Sequence, residues 1–274
     1  VRLLASAGTA AALWLTGRVP GVAVGALALS AGVIVEAAFA EWAARPVVAR
    51  LVHGAAAQPD LGYWKLVKFH APMAASTLLL LLAQPLISAA LARVPDPVTA
   101  LAAWPVAAGL LFLARSPAMA LPEAIIALID EPGGGRVLRQ FSWRVGAVCA
   151  AVLALVGFTP LSHFYFRQML GVSDELTRIA IAGAQVGLLL PVLMAAQSWL
   201  RGLLTANRMT MPLTASMIAN LVSMGGVLVV GVSLGAPGVP LAAVAMSAAM
   251  AMECLVLWLA ARRLTHLPAR APVS

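Results

Sequence analysis

Long apolar runs constrain this chain more than any other feature. A helix needs about 20 apolar residues to cross ~30 Å of hydrocarbon. Eight runs approach or exceed that length, at 2–17, 20–44, 68–92, 97–121, 143–159, 176–200, 210–232 and 238–261. The first and fifth are the shortest. Only 10% of the residues are charged and 62% are hydrophobic, whereas a soluble domain carries about 25% charged residues. Water cannot solvate that much apolar surface, so the chain reads as an all-α integral membrane protein with eight transmembrane helices.

The net charge of +8 does not point to nucleic acid. The basic residues fall in short loops between apolar runs, where the positive-inside rule places them. Arg2, Arg45, Arg50, Lys65, Lys68, Arg136, Arg139, Arg144, Arg201, Arg208, Arg262, Arg263 and Arg270 lie on one side of the expected spans. Arg18, Arg93, Arg167 and Arg178 lie on the other. The larger set predicts a cytoplasmic C-terminus in a multi-pass protein of the cell's inner (cytoplasmic) membrane. Cys149 and Cys254 sit inside apolar runs, in no metal or redox spacing, and read as small buried hydrophobes. No cleavable signal peptide is evident, and the chain begins with Val1.

The longest polar stretch between spans is 45–67. It reads as a cytoplasmic linker between two helical bundles. The glycines of 133–135 lack the Gly-Lys-Ser/Thr ending of a phosphate loop and read as a turn.

Residues 20–45 repeat as 237–262. Pro20, Gly21, Val22, Ser30, Glu36 and Arg45 match Pro237, Gly238, Val239, Ser247, Glu253 and Arg262, and five alanines match as well. Six spans separate the starting points of the two copies, so both cross in the same direction, as a parallel repeat does. The second copy closes a six-helix unit. The first should close an equivalent unit, which predicts four further helices upstream, roughly 150 residues if the repeat period holds.

Twelve helices in two lobes of six, with a linker after the sixth, resemble the multidrug and toxic-compound extrusion (MATE) transporters and their flippase superfamily. Phe69-His70-Ala71-Pro72 with Gln84-Pro85 looks like the opening helix of the second lobe. Trp104-Pro105-Val106 with Pro122, Gly171-Val172, Pro191-Val192 and Leu200-Arg201-Gly202-Leu203-Leu204 are similar to the progressive ankylosis branch. The resemblance implies that 1–45 holds the last two helices of a first lobe, 46–63 the linker, 64–263 the second lobe and 264–274 a cytoplasmic tail. It implies export of a small organic solute by alternating access, coupled to H+ or Na+ and without a cofactor. The full twelve-helix chain is expected to act as a monomer, and the ankylosis branch implies an anionic solute.

Charged residues at membrane depth cost about 2.5–3.5 kcal/mol on insertion scales, so each needs a reason. Glu36 and Glu253, equivalent by the repeat, read either as a symmetric proton-coupling site or gate, or as groups that hydrogen-bond a neighbouring helix or snorkel to the inner interface. Arg115 is the deepest basic residue. It reads either as an attractor for an anionic substrate or as the partner of an acid such as Glu123 or Glu36 in an inner gate. Pro117 and Pro122 follow it and are expected to open the helix locally. Gln84, Gln185 and Asn220 are candidates to line a cavity or to bond neighbouring helices.

The sequence contains no nucleophile–base pair, paired catalytic carboxylates or metal-ligand cluster, so an enzyme is not expected. A flippase for lipid-linked oligosaccharide or a peptidoglycan precursor is the alternative within the superfamily. A transport-inactive membrane scaffold is the alternative of another class.

Overall fold

The computed structural model describes residues 1–17, 19–54, 63–64, 67, 79 and 81–262, with backbone only over 50–54. The described chain is almost wholly helical, and no strand occurs among the described residues. Contacts divide it into two compact units, Val1–Lys68 and Phe69–Ser274. Linker residues 55–62, the motif at 69–72 and the tail at 264–274 lie outside the described residues.

Helix α1 (Arg2–Thr16) and α2 (Gly21–Gly54) make up the described helices of the first unit. They pack together as a hairpin. Gly17 caps α1 with φ 63, a conformation that costs glycine nothing. At 15 residues, α1 rises only about 22 Å. Helix α2 runs through Pro46 to Gly54, so the first part of the expected linker is a continuation of the span. Both helices leave large apolar side chains exposed, including Leu3, Trp14, Val22 and Ile34.

The second unit begins its described helices with α3 (Ala83–Leu91), the end of the expected third span. Then come α4 (Pro97–Met119) and α5 (Leu121–Leu128). Asp96 accepts from the Thr99 N–H and Pro97 follows it, a pairing of capping residue and first-turn proline that starts α4. Helix α6 (Gly134–Phe158) leads to a short helical segment at 161–169 that ends in a π-helical turn. Helices α7 (Asp174–Val186) and α8 (Leu190–Ala206) form one span, joined by a 3-10 turn at Gly187–Leu189. Helices α9 (Met211–Ser233) and α10 (Gly238–Arg262) form a second hairpin around Gly235, φ 68.

Six helical stretches among the described residues are long and apolar enough to cross a membrane: Gly21–Ala49, Pro97–Leu128, Gly134–Phe158, Asp174–Ala206, Met211–Ser233 and Gly238–Arg262. The chain is thus an all-helical, multi-pass membrane protein. Of the other two expected spans, α1 has 15 residues, fewer than the about 20 of an upright crossing, and 68–78 and 80 of the span 68–92 fall outside the described residues.

Helix α10 is the centre of the second unit. It carries more buried positions than any other described helix, including Val239, Ala242, Ala249, Glu253 and Leu257. Helices α4, α7, α8 and α9 pack against it, and α6 packs on α8 and α4. Small residues allow these approaches. A Cβ built on Gly146 of α6 would stand 2.8 Å from the Ala195 Cβ of α8, and one on Gly202 of α8 would stand 2.7 Å from Ile125 of α5.

Candidate functional site

Among these packed helices lies a cavity of about 350 Å³. It draws side chains from α3, α4, α5, α8, α9 and α10. Its polar groups are Gln84, Arg115, Gln197, Ser198, Arg201, Asn220 and Glu253. Much of the remaining wall is methionine: Met119, Met194, Met217, Met224, Met246 and Met250, six of the eleven in the chain. Thioether side chains are flexible and polarisable, so this wall can adapt to ligands of different outline.

Glu253 anchors the polar side. It is 2% exposed. Its Oε1 accepts from Arg201 Nε at 2.9 Å and also from Arg201 Nη2. Its Oε2 accepts from Asn220 Nδ2 at 2.8 Å. Three helices therefore meet at one carboxylate: α8 through Arg201, α9 through Asn220 and α10 through Glu253 itself. A carboxylate this deep needs both a counter-charge and filled lone pairs, and it has them.

Arg115 is different. None of the ion pairs among the described residues involves it. Its guanidinium carbon lies 5.9 Å from the Phe112 ring centroid, within cation–π range. Among the described residues, three buried side-chain polar atoms lack a hydrogen-bond partner: Arg115 Nε, Ser198 Oγ and Thr177 Oγ1. The first two belong to residues that line this cavity. An unmade bond of this kind costs about 1–3 kcal/mol, more for a charged group. Among the described residues, two guanidiniums and one carboxylate line the cavity, a formal charge of +1. Gln84 adds an amide whose Oε1 accepts from Trp104 Nε1 at 3.4 Å.

The residues singled out from sequence separate into two groups. Arg115, Gln84, Asn220 and Glu253 come together here. Gln185 does not line this cavity; its Nε2 donates to the Gly157 carbonyl at 2.9 Å and ties α7 to α6. Glu123 is exposed and outside the cavity wall, although its neighbour Pro122 lines it. Glu36, in the first unit, pairs with Arg2 at 3.5 Å, each side chain about half exposed (52%). The Arg115–Glu123 pair considered from sequence is absent among the described residues. Helix α4 ends at Met119, between Pro117 and Pro122, and Pro122 has no N–H to extend the ladder.

Sequence reading missed Arg201 and Ser198 as site residues. The available signal was spacing: Arg201 lies four residues after Gln197 on one helix and shares its face. Cys149 and Cys254 are free thiols, and the Cys254 thiol lies 3.5 Å from the Leu193 carbonyl. No group of three or more potential metal ligands occurs among the described residues.

No protein-family model, curated protein or solved structure gives a significant match to this chain.

Proposed function

We propose that this chain is the C-terminal part of a MATE-like secondary transporter that exports a small organic anion by alternating access. On this reading its eight spans belong to a twelve-helix, two-lobe protein of the inner membrane with a cytoplasmic C-terminus. The observation that carries the reading is the pair of unpartnered buried donors, Arg115 Nε and Ser198 Oγ, at a cavity of net positive charge. A ligand bearing carboxylate or phosphoryl oxygens supplies the acceptors both atoms lack.

The chemistry required is reversible binding. Arg115 attracts and orients the anion, and the methionine wall accommodates its apolar part. Arg201 is held by Glu253, which limits the positive charge available and keeps binding weak enough for release. Gln84 and Asn220 tune the polarity of the rim, and Glu253 is the candidate coupling or gating carboxylate. The volume of about 350 Å³ lies near the small end of ligand pockets, ~300–1,000 Å³. That size favours a small solute over a lipid-linked oligosaccharide.

The test is flux. Proteoliposomes containing the full-length protein should move radiolabelled pyrophosphate or citrate down an imposed gradient faster than protein-free vesicles. Tetraethylammonium should not be moved. Transport of the cation alone would assign the opposite charge preference. Movement of neither solute by folded protein would favour the scaffold reading.

A further inference from the structure

A second concavity, of about 760 Å³, lies where the N-terminal part of α6 meets the C-terminal parts of α8 and α10. Because α6 begins where α8 and α10 end, all its residues lie toward the same end of their helices. Its wall combines Arg139, Gln140, Trp143 and Arg144 of α6 with Trp199 of α8 and Trp258 of α10. Trp143 and Trp258 are 50% and 42% exposed. The guanidinium of Arg262 stacks over the Trp258 ring at 3.4 Å.

Neither Arg139 nor Arg144 is ion-paired or hydrogen-bonded through its side chain among the described residues. No carboxylate is among the described residues that line the concavity. Glu253 is one residue from Cys254 of this wall, but lines the cavity described above. Tryptophans are enriched at the headgroup level of a bilayer. Basic pockets between transmembrane helices suit phosphate headgroups. An aqueous solute would have little use for a wall of three indoles, two of them exposed. A lipid uses both parts, with its phosphate at the arginines and its acyl chains along the tryptophans and Leu255.

We infer that this concavity is a binding site for an anionic phospholipid, with Arg139 and Arg144 receiving the phosphate and Gln140 supplying a further donor. The inference is independent of the proposed transport cavity and goes beyond it.

Native mass spectrometry of the delipidated full chain tests it, by titration with dioleoylphosphatidylglycerol and, separately, dioleoylphosphatidylcholine. The wild type should bind the anionic lipid more tightly. Arg139→Gln with Arg144→Gln should weaken that binding about tenfold or more and leave the zwitterionic lipid unchanged, since each surface arginine contributes about 1 kcal/mol to anionic-lipid attraction. Arg139→Lys with Arg144→Lys keeps the charge and should retain the preference. Brominated phosphatidylglycerol should quench tryptophan fluorescence less in a Trp143→Phe, Trp258→Phe chain, relative to its own unquenched signal. Equal wild-type affinity for the two lipids overturns the site, whether or not the variants fold. So does unchanged preference in the folded glutamine variant. Displacement of the lipid by millimolar inorganic phosphate would assign the arginines to a free anion and overturn the lipid assignment.

Discussion

Asn220 donates to Glu253 across the α9–α10 hairpin at 2.8 Å, and Arg2 pairs with Glu36 at 3.5 Å across the α1–α2 hairpin. These are corresponding positions. Each hairpin turns on a glycine of positive φ, Gly17 or Gly235, followed by a proline. The first loop is one residue longer, so α1 aligns with α9 at an offset of 218 while α2 aligns with α10 at 217. Arg2 then falls on Asn220 and Glu36 on Glu253. The repeated glutamate thus partners the preceding helix in both copies, through an ion pair with Arg2 in the first and a hydrogen bond from Asn220 in the second. In the second copy the charge partner comes instead from Arg201, on a third helix.

Glu253 should therefore hold α8, α9 and α10 together. Glu253→Ala leaves Arg201 partly buried without its carboxylate, and breaking such a pair costs about 3 kcal/mol or more. The melting midpoint in detergent should fall by several degrees. Arg201→Met with Glu253→Leu should recover most of that loss. A double variant as unstable as the sum of its two single variants would show that the pair is not coupled.

Gly202 should not tolerate a methyl group. Its added Cβ would meet the Cγ2 and Cβ of Ile125 at 2.7 and 2.8 Å, and a β-branched side chain cannot swing its own Cβ aside. Gly202→Ala should cost about 1–3 kcal/mol by overpacking, and Ile125→Ala in the same chain should restore part of it. Gly225→Ala is the control, because nothing lies within 4 Å of its added Cβ. Equal melting of the two alanine variants would contradict the packing between α5 and α8.

The loop at 130–133 and the α9–α10 turn should lie on opposite membrane faces. Three spans separate them: Gly134–Phe158, Asp174–Ala206 and Met211–Ser233. In a chain with Cys149 and Cys254 replaced, Glu131→Cys should label only from the cytoplasmic side. Leu234→Cys, at a side chain 78% exposed, should label only from outside. Labelling of both from outside in intact cells would invert or break this topology.

Much of this was legible in the sequence because hydropathy reports the solvent of a helix directly. The hairpins were legible too, through turn glycines and prolines whose backbone requirements are local. Rotational phase was not. A helix that is apolar all round gives no preferred face, so Gln84 and Gln185 looked alike, although one lines the cavity and the other binds the Gly157 carbonyl. Arg201 was placed in a loop because the apolar run ends near residue 200. Helix α8 continues to Ala206, since its end is set by packing against α5 and α10 rather than by composition. The methionine wall was invisible for a related reason: six residues scattered from 119 to 250 meet only through tertiary structure.

The central claim is that Arg115 receives an anion. Uptake of labelled pyrophosphate or citrate, whichever is the better substrate, should be compared in proteoliposomes of the wild type, Arg115→Lys and Arg115→Ala at matched protein content. Lysine retains the charge but loses the planar fork, so it should keep part of the activity. Alanine should lower uptake at least tenfold, the scale of about 1.4 kcal/mol of lost interaction. Adding Glu123→Ala should not restore it, because Glu123 does not pair with Arg115. Undiminished uptake by a well-folded Arg115→Ala protein, or full recovery in the double variant, would contradict the account.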